Sequence, residues 1–138
     1  MARPVPSIFL DLTMKASQKA RLKLRCPISL GREHQITVPD GWFDLVYQMC
    51  AEIEDVAQQI NLKRRQRMFL PRIIFIEEHM GKLTCEVINR NKDIGEIIKK
   101  AQMRSVQLCM YCGDEAHQFR RGGHLITCCD RHRSHLSL

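Results

Sequence analysis

The residues best equipped for chemistry lie near the C-terminus. Cys109-Met110-Tyr111-Cys112-Gly113 forms a C-x-x-C-G element, and Cys129-Asp130-Arg131-His132 forms a C-x-x-H element. Residues 113–128 separate the two. Two short ligand pairs joined by a loop of that length suit a tetrahedral zinc site, because each tight turn aims two donor atoms at one centre. Gly113 fits the turn after the second cysteine, where a positive φ is needed and backbone N–H groups can face the sulfurs. Between the pairs, Arg120-Arg121-Gly122-Gly123 reads as a hairpin turn.

The preferred ligands of a structural Zn2+ are Cys109, Cys112, Cys129 and His132. Cys128 in place of Cys129, and His135 in place of His132, remain open alternatives; His117 and His124 are also nearby. Four protein ligands close the coordination sphere, whereas a catalytic zinc keeps one position for water or substrate. The H-x-E…P-C-x-x-C pattern of zinc deaminases is absent. Asp130, between two ligands, reads as a turn residue. A redox C-x-x-C accompanies a βαβ pattern; here the pair follows a helix and is answered by a second pair. Cys26, Cys50 and Cys85 fall on apolar faces or within strands and read as core residues.

The chain shows no phosphate-binding glycine loop, no nucleophile elbow and no H-E-x-x-H helix. Glu77 and Glu78 would point to opposite faces of a strand, and His79 sits beside a turn. A non-enzymatic protein without a small-molecule substrate is therefore expected.

Stepping outward, residues 20–28 alternate, with Leu22, Leu24 and Cys26 on one side and Arg21, Lys23 and Arg25 on the other. That period predicts a half-buried strand with a basic outer face, ending at Pro27. Residues 8–12 are its candidate partner strand. Gly31 and Pro39-Asp40-Gly41 mark loops. Residues 41–60 are predicted helical, with Trp42, Leu45, Val46, Met49, Ile53, Val56 and Ile60 at three- and four-residue intervals. Asp40 and Asp44 suit its N-terminus, and the basic run Lys63, Arg64, Arg65, Arg67 suits its C-terminal end. Residues 72–76 and 83–88 predict a hairpin turning at Met80-Gly81-Lys82. Residues 92–107 predict a second helix with Ile94, Ile97, Ile98, Ala101 and Leu108 as its apolar stripe, weakened by Gly95.

These elements define an α+β fold: a small mixed sheet or hairpin packed with two amphipathic helices, plus a C-terminal zinc-knuckle lobe. The body spans 1–108, with an N-terminal strand region over 1–39 and a helix–hairpin–helix unit over 40–108. The zinc lobe spans 109–138.

The order Gly41-Trp42-Phe43, helix, Glu77-Glu78-His79-Met80-Gly81-Lys82-Leu83, helix, Cys109-x-x-Cys112-Gly113 and Thr127-Cys128-Cys129-Asp130-Arg131-His132 resembles a family of small, uncharacterised bacterial and prophage proteins. Those proteins carry Gly-Trp near a helix start, a Lys-Glu-Lys-Phe-Gly-Gly-Leu-Arg hairpin, C-x-x-C-G and a closing Thr-Leu-Cys-Asp-x-His. The resemblance covers residues 40–133, and its hairpin is more basic and aromatic than the one here. It implies Cys109, Cys112, Cys129 and His132 as ligands and a phage or mobile-element setting, and it supplies no activity.

Composition frames the partners. The 138 residues are 44% hydrophobic and 27% charged, ordinary globular usage, with seven cysteines and a formal net charge of +7. No apolar run approaches a membrane span of ~18 residues. The N-terminus MARPVPSIFLDLTM has a short apolar stretch broken by Asp11 and does not read as a signal peptide. A cytoplasmic location, in the host cytosol for a phage protein, is expected. The basic balance points to nucleic acid. Candidate contacts are Arg21, Lys23, Arg25, Lys63, Arg64, Arg65, Arg67, Arg120 and Arg121, with Arg131 and Arg133 beside the zinc ligands. Aromatic residues make up only 6%, too few for a single-strand stacking platform. The alternative is a protein-directed inhibitor of a nucleic-acid-handling host machine, such as an anti-defence or anti-CRISPR protein. The acidic residues Asp40, Asp44, Glu52, Glu54 and Asp55 would then form its contact face.

Overall fold

A computed structural model describes residues 13–31, 34–64 and 69–136. The elements run α1 (Ala16–Arg25), β1 (Gln35–Thr37), a 3-10 turn (Asp40–Trp42), α2 (Phe43–Arg64), β2 (Arg72–His79), β3 (Lys82–Ile88), α3 (Lys92–Ser105), β4 (His117–Arg121), β5 (His124–Cys128) and α4 (Asp130–Leu136). The fold is α+β, with a three-stranded mixed sheet and a separate two-stranded ribbon.

The expected basic strand over 20–28 is instead helix α1. Leu22 and Cys26 are four residues apart, so they share a helical face as readily as they share a strand face. Both are fully buried, whereas Leu24 is 84% exposed. Ala, Gln, Lys, Arg and Leu are strong helix formers, and they outweigh a three-residue alternation. The Gln18 side chain accepts a hydrogen bond from the Lys15 N–H at the first turn, and the chain leaves the helix just before Pro27. The basic side chains consequently leave a common strand face. Arg21 lies over the rings of Phe43 and Tyr47, and Arg25 pairs with Asp55 at 3.1 Å. The proposed partner strand over 8–12 lies outside the described residues.

The strand of this region is β1, which runs parallel to β2 with Gln35 opposite Phe75. Parallel neighbours need a long crossover, and α2 supplies it. β2 and β3 form the expected hairpin, closed by Met80 and Gly81, both at positive φ, between the pair His79 and Lys82. Ile36, Ile73, Ile76, Leu83, Cys85 and Val87 join a core with Val46, Met49, Cys50 and Ile53 of α2 and Ile94, Ile98 and Ala101 of α3. The α3 N-cap is Asn91, whose side chain accepts from the Ile94 N–H. This helix ends at Ser105, short of the expected 107. Its buried hydroxyl accepts from the Leu83 N–H and donates to the Gln102 carbonyl, joining α3 to β3.

A buried carboxylate holds the link between α1 and β1. Glu54, on the inner face of α2, accepts from the N–H groups of Ile28 and Ser29, the Ser29 hydroxyl and the Gln58 amide. The acidic block of α2 is therefore not one solvated face. Glu54 is fully buried and Asp55 is engaged by Arg25.

The C-terminal segment is fastened to this body at two places. At the start of α2, the Gly41 N–H donates to the Met110 carbonyl at 3.1 Å, and the Trp42 indole N–H donates to the Leu108 carbonyl at 2.9 Å. At the β2–β3 turn, the Gly81 carbonyl accepts from the Thr127 hydroxyl and the Gln118 amide. Gly41 has to be glycine, since a Cβ there would lie 2.4 Å from the Cys109 carbonyl oxygen.

Candidate metal centre

Two turns build the centre. The first follows α3: the Cys109 N–H donates to the Asp114 carbonyl and the Gly113 N–H to the Cys109 carbonyl, with Gly113 at φ +79°. The second is the junction of β5 with α4, where Cys129 precedes the first turn of helix and His132 lies within it. A further bond, from the Met110 N–H to the Thr127 carbonyl, sets the first turn against β5.

The donor atoms of Cys109, Cys112, Cys129 and His132 all lie within 4.8 Å of one another. The sulfurs of Cys112 and Cys129 are 3.7 Å apart. His132 Nδ1 lies 3.5 Å from the Cys109 sulfur and 3.1 Å from the Cys129 sulfur. A tetrahedral ion with metal–sulfur bonds of about 2.3 Å and metal–nitrogen bonds of about 2.0 Å sets ligand edges of about 3.8 Å for S···S and about 3.6 Å for S···N. The donor set is thus compatible with a Cys3His metal site, the Cys129–His132 edge being shorter than the ideal one.

The surroundings orient the donors. The Tyr111 N–H faces the Cys109 sulfur at 3.4 Å. Backbone N–H groups of Asp114 and His132 serve Cys112 and Cys129, and the Arg131 guanidinium reaches the Cys112 sulfur. The Tyr111 ring stacks on the His132 imidazole, with centroids 5.1 Å apart and planes inclined by 14°. Such contacts fix ligand rotamers and stabilise thiolates.

The thiols divide by environment. Burial raises Cys129, but hydrogen bonds from the His132 backbone and ring and from Cys112 and Cys109 outweigh it and bring the thiol down to about 6. Burial pushes Cys112 up to about 11. Cys128 is buried at the end of β5, and its thiol is pushed up to about 12 by burial and by the neighbouring Cys109 and Cys129. It lies outside the four-donor group, which decides between Cys128 and Cys129. His135 lies where side chains fall outside the described residues.

Cys26, Cys50 and Cys85 are buried, as expected of core residues. Burial pushes Cys26 up to about 11 and Cys85 up to about 12, and raises Cys50 strongly, so they remain neutral thiols.

The candidate basic contacts are dispersed. Arg120 and Arg121 lie on β4, with Arg120 exposed. Arg131 approaches Asp114 at 3.9 Å, and Arg133 lies over the Phe119 ring at 5.1 Å. Lys23 is exposed on α1, Lys63 is exposed near the end of α2, and Arg64 is its last residue. Arg65 and Arg67 lie outside the described residues.

Sequence reasoning missed the support beneath the site. Gly41, Trp42 and Gly81 seat the cysteine turns from more than twenty-five residues away in sequence, and only the Gly-Trp pair was noticeable as a motif. No helix among the described residues is long and apolar enough to cross a membrane. Comparison with protein-family models, with curated proteins and with solved structures gives no match.

Proposed function

We propose that the protein is a non-enzymatic nucleic-acid-binding module whose C-terminal segment is held by a structural zinc ion. The observation that carries this reading is the closed group of Cys109, Cys112, Cys129 and His132 within 4.8 Å. Three soft thiolates and an imidazole at tetrahedral spacing favour zinc over hard cations such as Mg2+ or Ca2+. Four protein donors leave no position for an activated water, so the ion serves folding.

Charge supports the choice of partner. Three thiolates and one divalent cation add one net negative charge, so the formal +7 becomes about +6 on loading. Arg131 and Arg133 lie beside the loaded site and Arg120 and Arg121 near the turn of the β4–β5 ribbon, where they would contact phosphates. The protein-directed reading, an inhibitor of a phage host's nucleic-acid-handling machine, needs an acidic docking face. It is the weaker because Glu54 is buried and Asp55 is paired.

Metal analysis of protein purified without added metal should give about one zinc per chain, and a chelator should lower the melting temperature. A gel shift with generic duplex DNA should show binding at low salt that falls steeply as salt rises. Absence of zinc would overturn the metal assignment, and absence of any shift at low salt the nucleic-acid reading.

A further inference from the structure

The β4–β5 ribbon is a distinct surface feature. Its strands pair from His117 opposite Cys128 to Arg121 opposite His124. The connection is Gly122-Gly123, with φ of 54° and 84°, the backbone of a type I′ turn. Nothing lies within 4 Å of where a Cβ would sit on either glycine, so the tip stands clear of the rest of the described protein.

The basic residues gather at this end. Arg120 and His124 are exposed and Arg121 is half-buried. Glu78 of β2 lies near His124 at this end, while at the opposite end Glu115 pairs with Arg104 and Asp114 lies near Arg131. Arg133 reaches the side of the ribbon over Phe119.

The root, by contrast, is anchored. Thr127 and Gln118 both bind the Gly81 carbonyl, Thr127 also accepts from the Met110 N–H, and β5 leads directly into the ligand Cys129. A basic tip on an anchored root is suited to insertion.

We propose that the β4–β5 ribbon enters the major groove of duplex DNA, with Arg120 and Arg121 carrying the contact; this rests on the nucleic-acid-binding reading above. Two strands ~4.8 Å apart, with their side chains, match a groove ~12 Å wide that admits a two-stranded ribbon. Two glycines at the tip permit close approach of backbone to base edges or phosphates. The deep, narrow major groove of A-form RNA excludes such a ribbon. A single strand would need a row of open aromatic rings, whereas Phe119, the one Phe, Tyr or Trp on the ribbon, is covered by Arg133.

The test is fluorescence anisotropy of the zinc-loaded protein on a duplex of about 20 base pairs across a salt series. The double variant Arg120→Ala/Arg121→Ala should weaken binding tenfold or more and flatten the log–log salt slope by about 2. Its zinc content and melting temperature should stay at wild-type values, which separates lost contact from lost fold. The charge-matched control Lys99→Ala/Lys100→Ala, on α3, should lose far less. Bulky substituents on the C5 position of pyrimidines, which project into the major groove, should weaken binding, whereas a minor-groove ligand should not compete. If the wild type binds duplex DNA and the ribbon variant binds equally well with the same slope, the ribbon assignment is overturned while the nucleic-acid reading stands. Binding indifferent to C5 bulk overturns the groove assignment. Preference for single strands or RNA overturns duplex recognition, and no binding to any nucleic acid overturns both proposals.

Discussion

At the scale of single residues, this protein places several polar groups where they cannot be spared. Glu54 is fully buried yet accepts from two backbone N–H groups, a hydroxyl and an amide. Removing it would strand the N–H groups of Ile28 and Ser29 without water or partner. We expect Glu54→Ala to cost about 3 kcal/mol in chemical denaturation, near the upper end for a lost set of charge-assisted hydrogen bonds. A cost below about 1 kcal/mol would show that water replaces the carboxylate. Glu78 behaves differently. Burial raises its pKa, only partly offset by the Gly81 N–H and by His79 and His124. A carboxyl raised in the folded state binds its proton more tightly there than in the unfolded chain. Its ionisation therefore erodes stability as pH rises through the ordinary carboxylate range to the folded value. Glu78→Gln removes that erosion. The melting temperature of the variant relative to wild type should climb between pH 4 and 7; a difference flat with pH would rule out this origin.

At the scale of elements, α1 shows how a period can mislead. Residues 20–26 satisfy a strand and a helix alike, because Leu22 and Cys26 stay together under both while only Leu24 distinguishes them. The helix leaves Leu24 in solvent and puts Leu22 in the core. Leu22→Ala should therefore cost roughly 2–5 kcal/mol, and Leu24→Ala less than about 0.5 kcal/mol. Comparable costs at the two positions would restore the strand. The longer patterns left no such ambiguity. Five turns of apolar spacing across residues 42–60 and the β-branched run at 72–76 each admit one period, and both became the expected elements. β1 was invisible because three residues with a single buried side chain carry no measurable pattern.

At the scale of the whole molecule, the metal turns and the body share one framework. The single tryptophan, Trp42, is fully buried and donates to the Leu108 carbonyl, next to Cys109. Chelation should therefore red-shift Trp42 emission and lower the melting temperature of the whole protein in one transition. A loosened C-terminal segment with unchanged tryptophan emission would instead show two independent units. The net charge is also resolved only at this scale. Arg21 and Arg25 of α1 are engaged with rings and with Asp55, whereas Arg120 stands exposed near the turn of the ribbon.

The sequence by itself singled out the two ligand pairs, with Cys128 and His135 left open as alternatives, and the elements long enough to show one period. C-x-x-C-G and C-x-x-H encode turn geometry locally, so Cys109, Cys112, Cys129 and His132 were legible before any folding was considered. Tertiary structure alone decided that Cys129 and not Cys128 joins the group, because β5 buries Cys128 at its last position while Cys129 reaches the turn. It also decided that Gly41, Trp42 and Gly81 seat the turns, that Glu54 is internal, and that 16–25 is helical. Local spacing constrains which atoms one turn can present. What that turn rests on depends on long-range contacts, whose partners no short window of sequence contains.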